Sequence, residues 1–282
     1  MFSYRHGFHA GNHADVLKHM VLVQLLKYML QKDKPFWVVD THAGGGLYDL
    51  TQGYATKKAE FETGIAPLWG RSDDAPLPVA DYLAQVRTLN PEGALRWYPG
   101  SPQIAAQMLR AQDHLRLYEL HPTESRLLQQ HFAEVKRGVS IEAADGFAGL
   151  RAVLPPPPRR GLVLMDPPYE DKNDYRKVVA AVREAQQRFP SGTVAVWYPQ
   201  VVRPESRELP RQLQRLAGES WLHATLSVRR PAADGLGLHG SGMFVYNPPY
   251  TLAAALRPAM PWLVQALGQD EGAAFTLDGR AG

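Results

Sequence analysis

Phe36-Trp-Val-Val-Asp-Thr-His-Ala-Gly-Gly-Gly46 is the stretch that decides the fold. An apolar run ends in an acid, Asp40, and then breaks into a glycine turn. That pattern describes a strand buried on both faces and turned sharply at its carboxyl end. Downstream the theme repeats. Residues 115–119 (Leu-Arg-Leu-Tyr-Glu), 139–143 (Val-Ser-Ile-Glu-Ala), 161–165 (Gly-Leu-Val-Leu-Met) and 193–197 (Thr-Val-Ala-Val-Trp) read as strands, with helical stretches such as 122–135 and 175–188 between them. Strands alternating with helices predict an α/β domain whose mostly parallel sheet is covered on both faces. The last two strand candidates, 223–228 and 243–246, are joined by a Gly/Pro-rich loop too short for a helix, which predicts an antiparallel hairpin at the C-terminal end.

Upstream of the decisive stretch, Asn12 and Asp15 form a capping-box start, and Val16, Leu17, Met20, Val21, Leu25 and Tyr28 follow as a helical stripe closed by Pro35. Two stretches break the alternation. Residues 48–98 are polar, helical in places and rich in Gly and Pro, and are read as an inserted helical subdomain. Residues 154–160, with four consecutive prolines, form a stiff connector, and the tail after Gly268 reads as frayed. The expected division is an α/β domain over 1–47 and 99–282, with 1–34 as an N-terminal lid and helix, and the insertion over 48–98.

The chain has 282 residues, 45% of them hydrophobic and 21% charged, enough for a substantial core. It has no cysteine, which excludes disulfide frameworks, thiolate metal sites and cysteine nucleophiles. Its longest apolar stretch, residues 20–30, is interrupted by Gln24 and Lys27 and is too short to span a bilayer. The expectation is a cytoplasmic protein with no membrane partner. Residues 1–34 carry five bases (Arg5, Lys18, Lys27, Lys32, Lys34) against two acids (Asp15, Asp33), which accounts for the whole net charge of +3. This segment is the first candidate to meet a polyanion, although a solvated basic helix end would look the same.

The glycine turn fits a dinucleotide fingerprint at Gly44 and Gly46 but has Asp49 where the third glycine belongs. A looser glycine turn with an acid closing the second strand also suits S-adenosylmethionine, which has no pyrophosphate to cradle; the turn alone does not separate the two. Asp166-Pro-Pro-Tyr169 carries more information because it directly follows the strand 161–165, where open α/β sheets bind ligands. The amino group of adenine is a poor nucleophile because its lone pair is delocalised into the ring. A side-chain acceptor (Asp166) and a backbone carbonyl (Pro167), fixed by two prolines, can take both N–H bonds and aim the lone pair at a methyl donor. Tyr169 would stack on the flipped base, and Asp166 could take the released proton. A second copy, Asn247-Pro-Pro-Tyr250, follows the distal hairpin strand and is read as structural. Glu119 could bind ribose hydroxyls, and Asp145-Gly146 could receive an adenine amino group, although exposed acids and Asp-Gly turns are common. His6, His9, His13 and His19 invite a metal reading, but they lack a defined ligand geometry, and no metal is expected. Arg203, Arg207, Arg211 and Arg215 recur every four residues, but interleaved acids favour a solvated face.

Taken together, residues 3–6, the block Phe8-His-Ala-Gly-Asn-His-Ala-Asp-Val-Leu-Lys-His19, Asp40-Thr-His-Ala-Gly44, Tyr98-Pro-Gly-Ser-Pro102, Glu119-Leu-His-Pro122, Ala144-Asp-Gly-Phe147 and Asp166-Pro-Pro-Tyr169 resemble the bacterial 23S ribosomal RNA (adenine(2030)-N(6))-methyltransferase family, RlmJ. The likeness runs in order along nearly the whole chain. It implies a class I (Rossmann-like) methyltransferase fold, with a seven-stranded, mostly parallel sheet and a small helical insertion. It further implies S-adenosylmethionine as methyl donor and N6 of one adenine in 23S ribosomal RNA as acceptor. Position by position it implies that His19, His42, Ser101, Glu119, Asp145, Gly146 and Asp166 contact the cofactor. Asp166 would be catalytic and Tyr4 would touch the RNA. Lys18 is added to the substrate side, with Pro167 and Tyr169, and a monomer is expected. Gly45 stands where relatives often carry alanine, and the tail beyond about Pro261 matches poorly. The rivals are a DNA adenine methyltransferase, for which no separate target-recognition domain is visible, and a non-catalytic RNA-binding protein. A glutamine methyltransferase would need Asn247 to be catalytic.

Overall fold

Strand β1 (Trp37–Asp40) pairs in parallel with β4 (His114–Tyr118) on one side and β6 (Gly161–Met165) on the other. The structure, a computed structural model, describes residues 5–71, 73–135 and 137–280. β5 (Val139–Glu142) lies in parallel outside β4, and β7 (Thr193–Gln200) in parallel outside β6. Beyond β7 the sheet turns antiparallel through β9 (Gly240–Tyr246), β8 (Trp221–Ser227) and β10 (Ala274–Arg280). The order is β10-β8-β9-β7-β6-β1-β4-β5. The chain runs outward from β1 through β4 and β5, then returns to β6 on the other side of β1. That reversal opens a crevice at the carboxyl ends of β1, β4 and β6, the place where such sheets bind ligands.

The main sheet thus has eight strands rather than the expected seven. The extra one, β10, lies in the tail expected to be frayed, and its register runs from Ala274 opposite Ser227 to Arg280 opposite Trp221. It is an edge strand, mostly exposed on both faces, so no apolar alternation marks it, and its Asp278 and Arg280 suit a sheet edge. β6, by contrast, is buried at every position, as its unbroken apolar run predicts.

Helices cover both faces. On one, α1 (His13–Leu30) packs with α5 (Ser101–Met108) and α10 (Leu252–Leu267). On the other lie α7 (Gly146–Val153), α8 (Asn173–Arg188) and α9 (Pro204–Ala217); α6 (Pro122–His131) packs near β5. Asn12 caps α1 by accepting from the amides of Ala14 and Asp15. The expected lid over 1–34 needs correction here: α1 is buried almost all round, including Asp15, Lys18 and His19, so it is a core helix and not a cover. From the described residues of this segment, His6 and Lys18 line the crevice.

After the glycine turn, β2 (Leu47–Asp49) pairs antiparallel with β3 (Trp97–Pro99). Between them stand α2 (Ala55–Lys58), a 3-10 turn at Glu60–Thr63, α3 (Ala66–Trp69) and α4 (Leu77–Thr88), with α4 packed on α1. The stretch expected to be all-helical therefore begins and ends in a short strand. Gln24 and Lys27 of α1 both reach the carboxylate of Asp81 on α4, which explains why polar residues interrupt the apolar run there.

Candidate active site at the carboxyl ends of the strands

A cleft of about 320 Å³ opens at the topological switch point. The turn after β1 supplies Thr41, His42 and Gly44, the end of β4 supplies Glu119, and the loop after β5 supplies Asp145 and Gly146. Ser101 enters from the start of α5, and Asp166 and Pro168 enter from the end of β6. Two glycines let backbone approach where side chains could not. Gly44 has φ +63°, and a Cβ there would lie 2.6 Å from the Tyr48 hydroxyl; one on Gly146 would lie 2.2 Å from the carbonyl oxygen of Thr41.

At the centre, Asp166 forms an ion pair through Oδ2 with Nζ of Lys18. Lys18 is buried and also pairs with Asp15 Oδ1 at 2.9 Å. Asp15 is held in turn by the His6 ring (Nε2 to Oδ2, 3.0 Å) and by the Gly11 amide at 2.9 Å. Burial alone would depress the Lys18 ammonium, but Asp15 and Asp166 outweigh it and raise its pKa. Burial likewise opposes the charge on Asp15, yet the fields of His6 and Lys18 hold its carboxyl well below the usual range. A buried, permanently charged lysine thus fixes one oxygen of Asp166 and leaves the other free to accept.

Around this centre the acceptors are ordered by backbone amides. Glu119 takes the amide of Gly44 on Oε2 and that of His121 on Oε1, both at 2.7 Å, which aims its carboxylate across the glycine turn; burial raises its pKa despite these donors. Asp145 caps α7 by accepting from the Phe147 amide at 2.9 Å. Phe147 stands edge-on to His42, 4.7 Å between ring centres, and Leu120 projects at 46% exposure, so apolar groups flank the acids. Burial lowers His42 to about 4, so its ring is neutral, and its Nδ1 lies 2.8 Å from the Thr41 hydroxyl. Ser101 donates to the buried Asp40 at 2.7 Å, and burial lifts Asp40 to about 6.

The chemistry of the donor set narrows the ligand. The cleft is lined by seven carboxylates against two lysines, Lys18 and Lys177. A pyrophosphate would be repelled there. A ligand with a ribose diol, an adenine and a cationic amino-acid tail finds an acceptor for each, so these residues fit S-adenosylmethionine.

The sequence matches the RsmJ family, described as ribosomal RNA large subunit methyltransferase D, RlmJ, over residues 33–277. The chain belongs to this family. Among its relatives, ribosomal RNA large subunit methyltransferase J of Escherichia coli is 46% identical over 263 residues, with 93% of each chain covered. The protein of the same name from Haemophilus influenzae is 43% identical over 279 residues, covering 99% of this chain and 98% of its own. A Legionella pneumophila protein of known crystal structure superposes with a TM-score of 0.88 at 34% identity, covering 96% of this chain and 98% of that one.

Within this RsmJ-family chain most sequence-derived candidates meet in the cleft: Lys18, His42, Ser101, Glu119, Asp145, Gly146 and Asp166 all line it. Others do not. His19 is fully buried behind Lys18, with Nδ1 2.8 Å from the Tyr98 hydroxyl; Nε2 has no partner among the described residues, and burial lowers the ring to about 3. Tyr169 does not offer a face for stacking. It is 3% exposed, has φ +53°, packs 4.6 Å from Tyr175 and donates its hydroxyl to the Trp197 carbonyl at 2.7 Å. Pro167 is buried beside it, and Tyr4 lies outside the described residues. Lys18, expected on the substrate side, lines the cleft with its ammonium paired to Asp15 and Asp166. Asn247 directly follows β9, whose last residue, Tyr246, pairs with Val194 and Trp221 near the starts of β7 and β8, and so sits on the opposite edge of the sheet from Asp166. The histidines diverge, His6 to Asp15 and His9 to Glu60, and no group of three metal-ligating side chains occurs among the described residues.

Sequence reasoning missed three participants. Asp15 looked like a helix cap, and nothing local shows that it anchors Lys18. Arg203, read as part of a solvated stripe, donates to the Tyr169 carbonyl at 3.2 Å and braces the turn after Asp166. Trp197, partly exposed within β7, has the Lys18 ammonium 5.8 Å from its ring centre and an Nε1 with no partner among the described residues. Register could have found it, because Met165 pairs with Val196 and so brings Trp197 beside Asp166.

Proposed function

We propose that this chain methylates N6 of one adenine in 23S ribosomal RNA, with S-adenosylmethionine as methyl donor. The observation that carries the reading is Asp166, placed at the end of β6 with one carboxylate oxygen held by the buried Lys18 and the other open to the acid-lined cleft. Glu119 would hold the ribose hydroxyls, Asp145 the adenine amino group of the cofactor, and Ser101 and Gly44 its amino-acid end. His42 and Phe147 would flank the ring. When bound, that cofactor supplies a methyl group on a cationic sulfur.

The chain's own work lies in the target amine. An adenine extruded from its RNA brings N6 to Asp166; its free oxygen accepts one N–H and the Pro167 carbonyl the other. Both acceptors favour a pyramidal nitrogen with its lone pair directed along the cleft. Trp197, partly exposed, is the ring that would stack on the base, with Tyr169 buried behind it as support. Lys18 stays an ammonium and keeps Asp166 in one orientation.

Transfer of labelled methyl groups to unmodified 23S RNA, with matched DNA in parallel, tests the reading. Label confined to RNA and recovered as N6-methyladenosine is expected. Label in DNA would replace the reading with a DNA adenine methyltransferase. RNA binding with no transfer to any nucleic acid would leave a non-catalytic binder.

A further inference from the structure

A second surface, next to the cleft but outside it, joins the N-terminal turn to the insertion. Phe8 packs against Tyr54 with ring centres 4.7 Å apart, and three bases sit over this pair. The Arg5 guanidinium lies 4.9 Å from the Tyr54 ring centre. Lys57 lies 5.6 Å from Tyr54 and 5.9 Å from Phe8, and Lys58 lies 6.0 Å from Phe8. Both lysines are exposed and both rings are partly exposed. The platform is anchored from below: a Cβ on Gly7 would lie 3.3 Å from Cβ of Tyr54. It is continuous with the site, because His6 of the same turn lines the cleft and holds Asp15.

The charge is left available here, unlike that of two lysines beside the cleft. Lys172 and Lys177 are each paired with a carboxylate. Among the described residues no carboxylate lies within ion-pair distance of Arg5, Lys57 or Lys58, and Glu60 nearby is turned to His9 and Asn12. Cations free of ion pairs over partly exposed aromatic rings form the combination that binds single-stranded nucleic acid: cations for the phosphates, rings for the bases. The acids of the cleft would repel an RNA backbone, so the chain must receive its substrate on another side.

We propose that Arg5, Phe8, Tyr54, Lys57 and Lys58 bind the unpaired RNA nucleotides flanking the target adenine, stacking a base on Tyr54 and Phe8 and holding the adjoining phosphates. This rests on the RNA-methylation reading above. It assigns α2 of the insertion to substrate capture, leaving the cofactor and the chemistry to the sheet.

The test pairs Lys57→Gln/Lys58→Gln with Tyr54→Ala and Tyr54→Phe, measuring filter binding of unmodified 23S RNA across a salt series alongside methyl-transfer kinetics. The double variant should bind RNA about tenfold more weakly and lose about 1.4 from the slope of log affinity against log salt, the share of two phosphate contacts on a single strand. Its KM for RNA should rise while kcat at saturating RNA and the affinity for S-adenosylhomocysteine stay unchanged. Tyr54→Ala should lose about tenfold in RNA affinity, and Tyr54→Phe should restore it. Unchanged RNA affinity and salt slope in the double variant would overturn the inference. Because binding is measured apart from transfer, a wild-type chain that bound RNA through these residues without methylating it would defeat only the activity reading.

Discussion

Lys18 is the residue on which the site depends. Replacing it with methionine strips Asp166 of its counter-charge and leaves Asp15 with His6 alone. Removing one partner of a buried pair costs about 3–5 kcal/mol. Lys18→Met should therefore lower the thermal midpoint and abolish transfer. Adding Asp15→Asn should recover much of the stability without recovering the rate, and calorimetry with transfer assays on both variants checks this. Asp40 gives a pH signature of opposite sign. Its carboxyl titrates near 6 in the folded chain against about 3.9 when unfolded. The folded state therefore binds that proton more tightly, and Asp40's contribution to stability falls as pH rises from about 4 through about 6, then stays lost. Asp40→Asn removes this dependence and should gain on the wild type by up to about 3 kcal/mol between pH 4 and pH 8. Thermal unfolding at the two pH values measures it; a difference that does not change with pH would contradict the assignment.

At the scale of elements, the strand ends place the chemistry and the sheet edges do not. β10 is separated from β6 by β8, β9 and β7. Truncation after Gly272 should therefore expose the edge of β8, lower the thermal midpoint by several degrees and promote association, while leaving S-adenosylhomocysteine affinity intact. Differential scanning and titration calorimetry on the truncated chain would show a site defect if β10 mattered to the cleft. Elements with two buried faces were legible in the sequence. The apolar run 161–165 coincides with β6 residue for residue, and the glycine turn and Asp166-Pro-Pro-Tyr169 emerge from the strands expected. β10 was not legible because an edge strand with both faces open carries no alternation. The depth of α1 was hidden for a different reason: its charged residues read as surface until their partners are known. Asp166 lies 148 positions from Lys18, a separation at which local pattern carries no information.

Across the whole molecule, charge and shape divide the work. The cleft is acidic and suits a cationic cofactor, the open bases lie on the N-terminal turn and α2, and Asp166 stands between these regions. The second tetrapeptide, at Asn247, shows why placement decides function: the same Pro-Pro turn on the opposite edge of the sheet faces no cleft acid and no Lys18. The most direct measurement of the central claim is the single-turnover rate at which N6-methyladenosine forms in 23S RNA, compared between the wild type and Asp166→Ala, with S-adenosylhomocysteine affinity measured on both. The account predicts that the variant loses at least a hundredfold in rate and binds S-adenosylhomocysteine within a few-fold of the wild type. A variant that methylates adenine at the wild-type rate would contradict it.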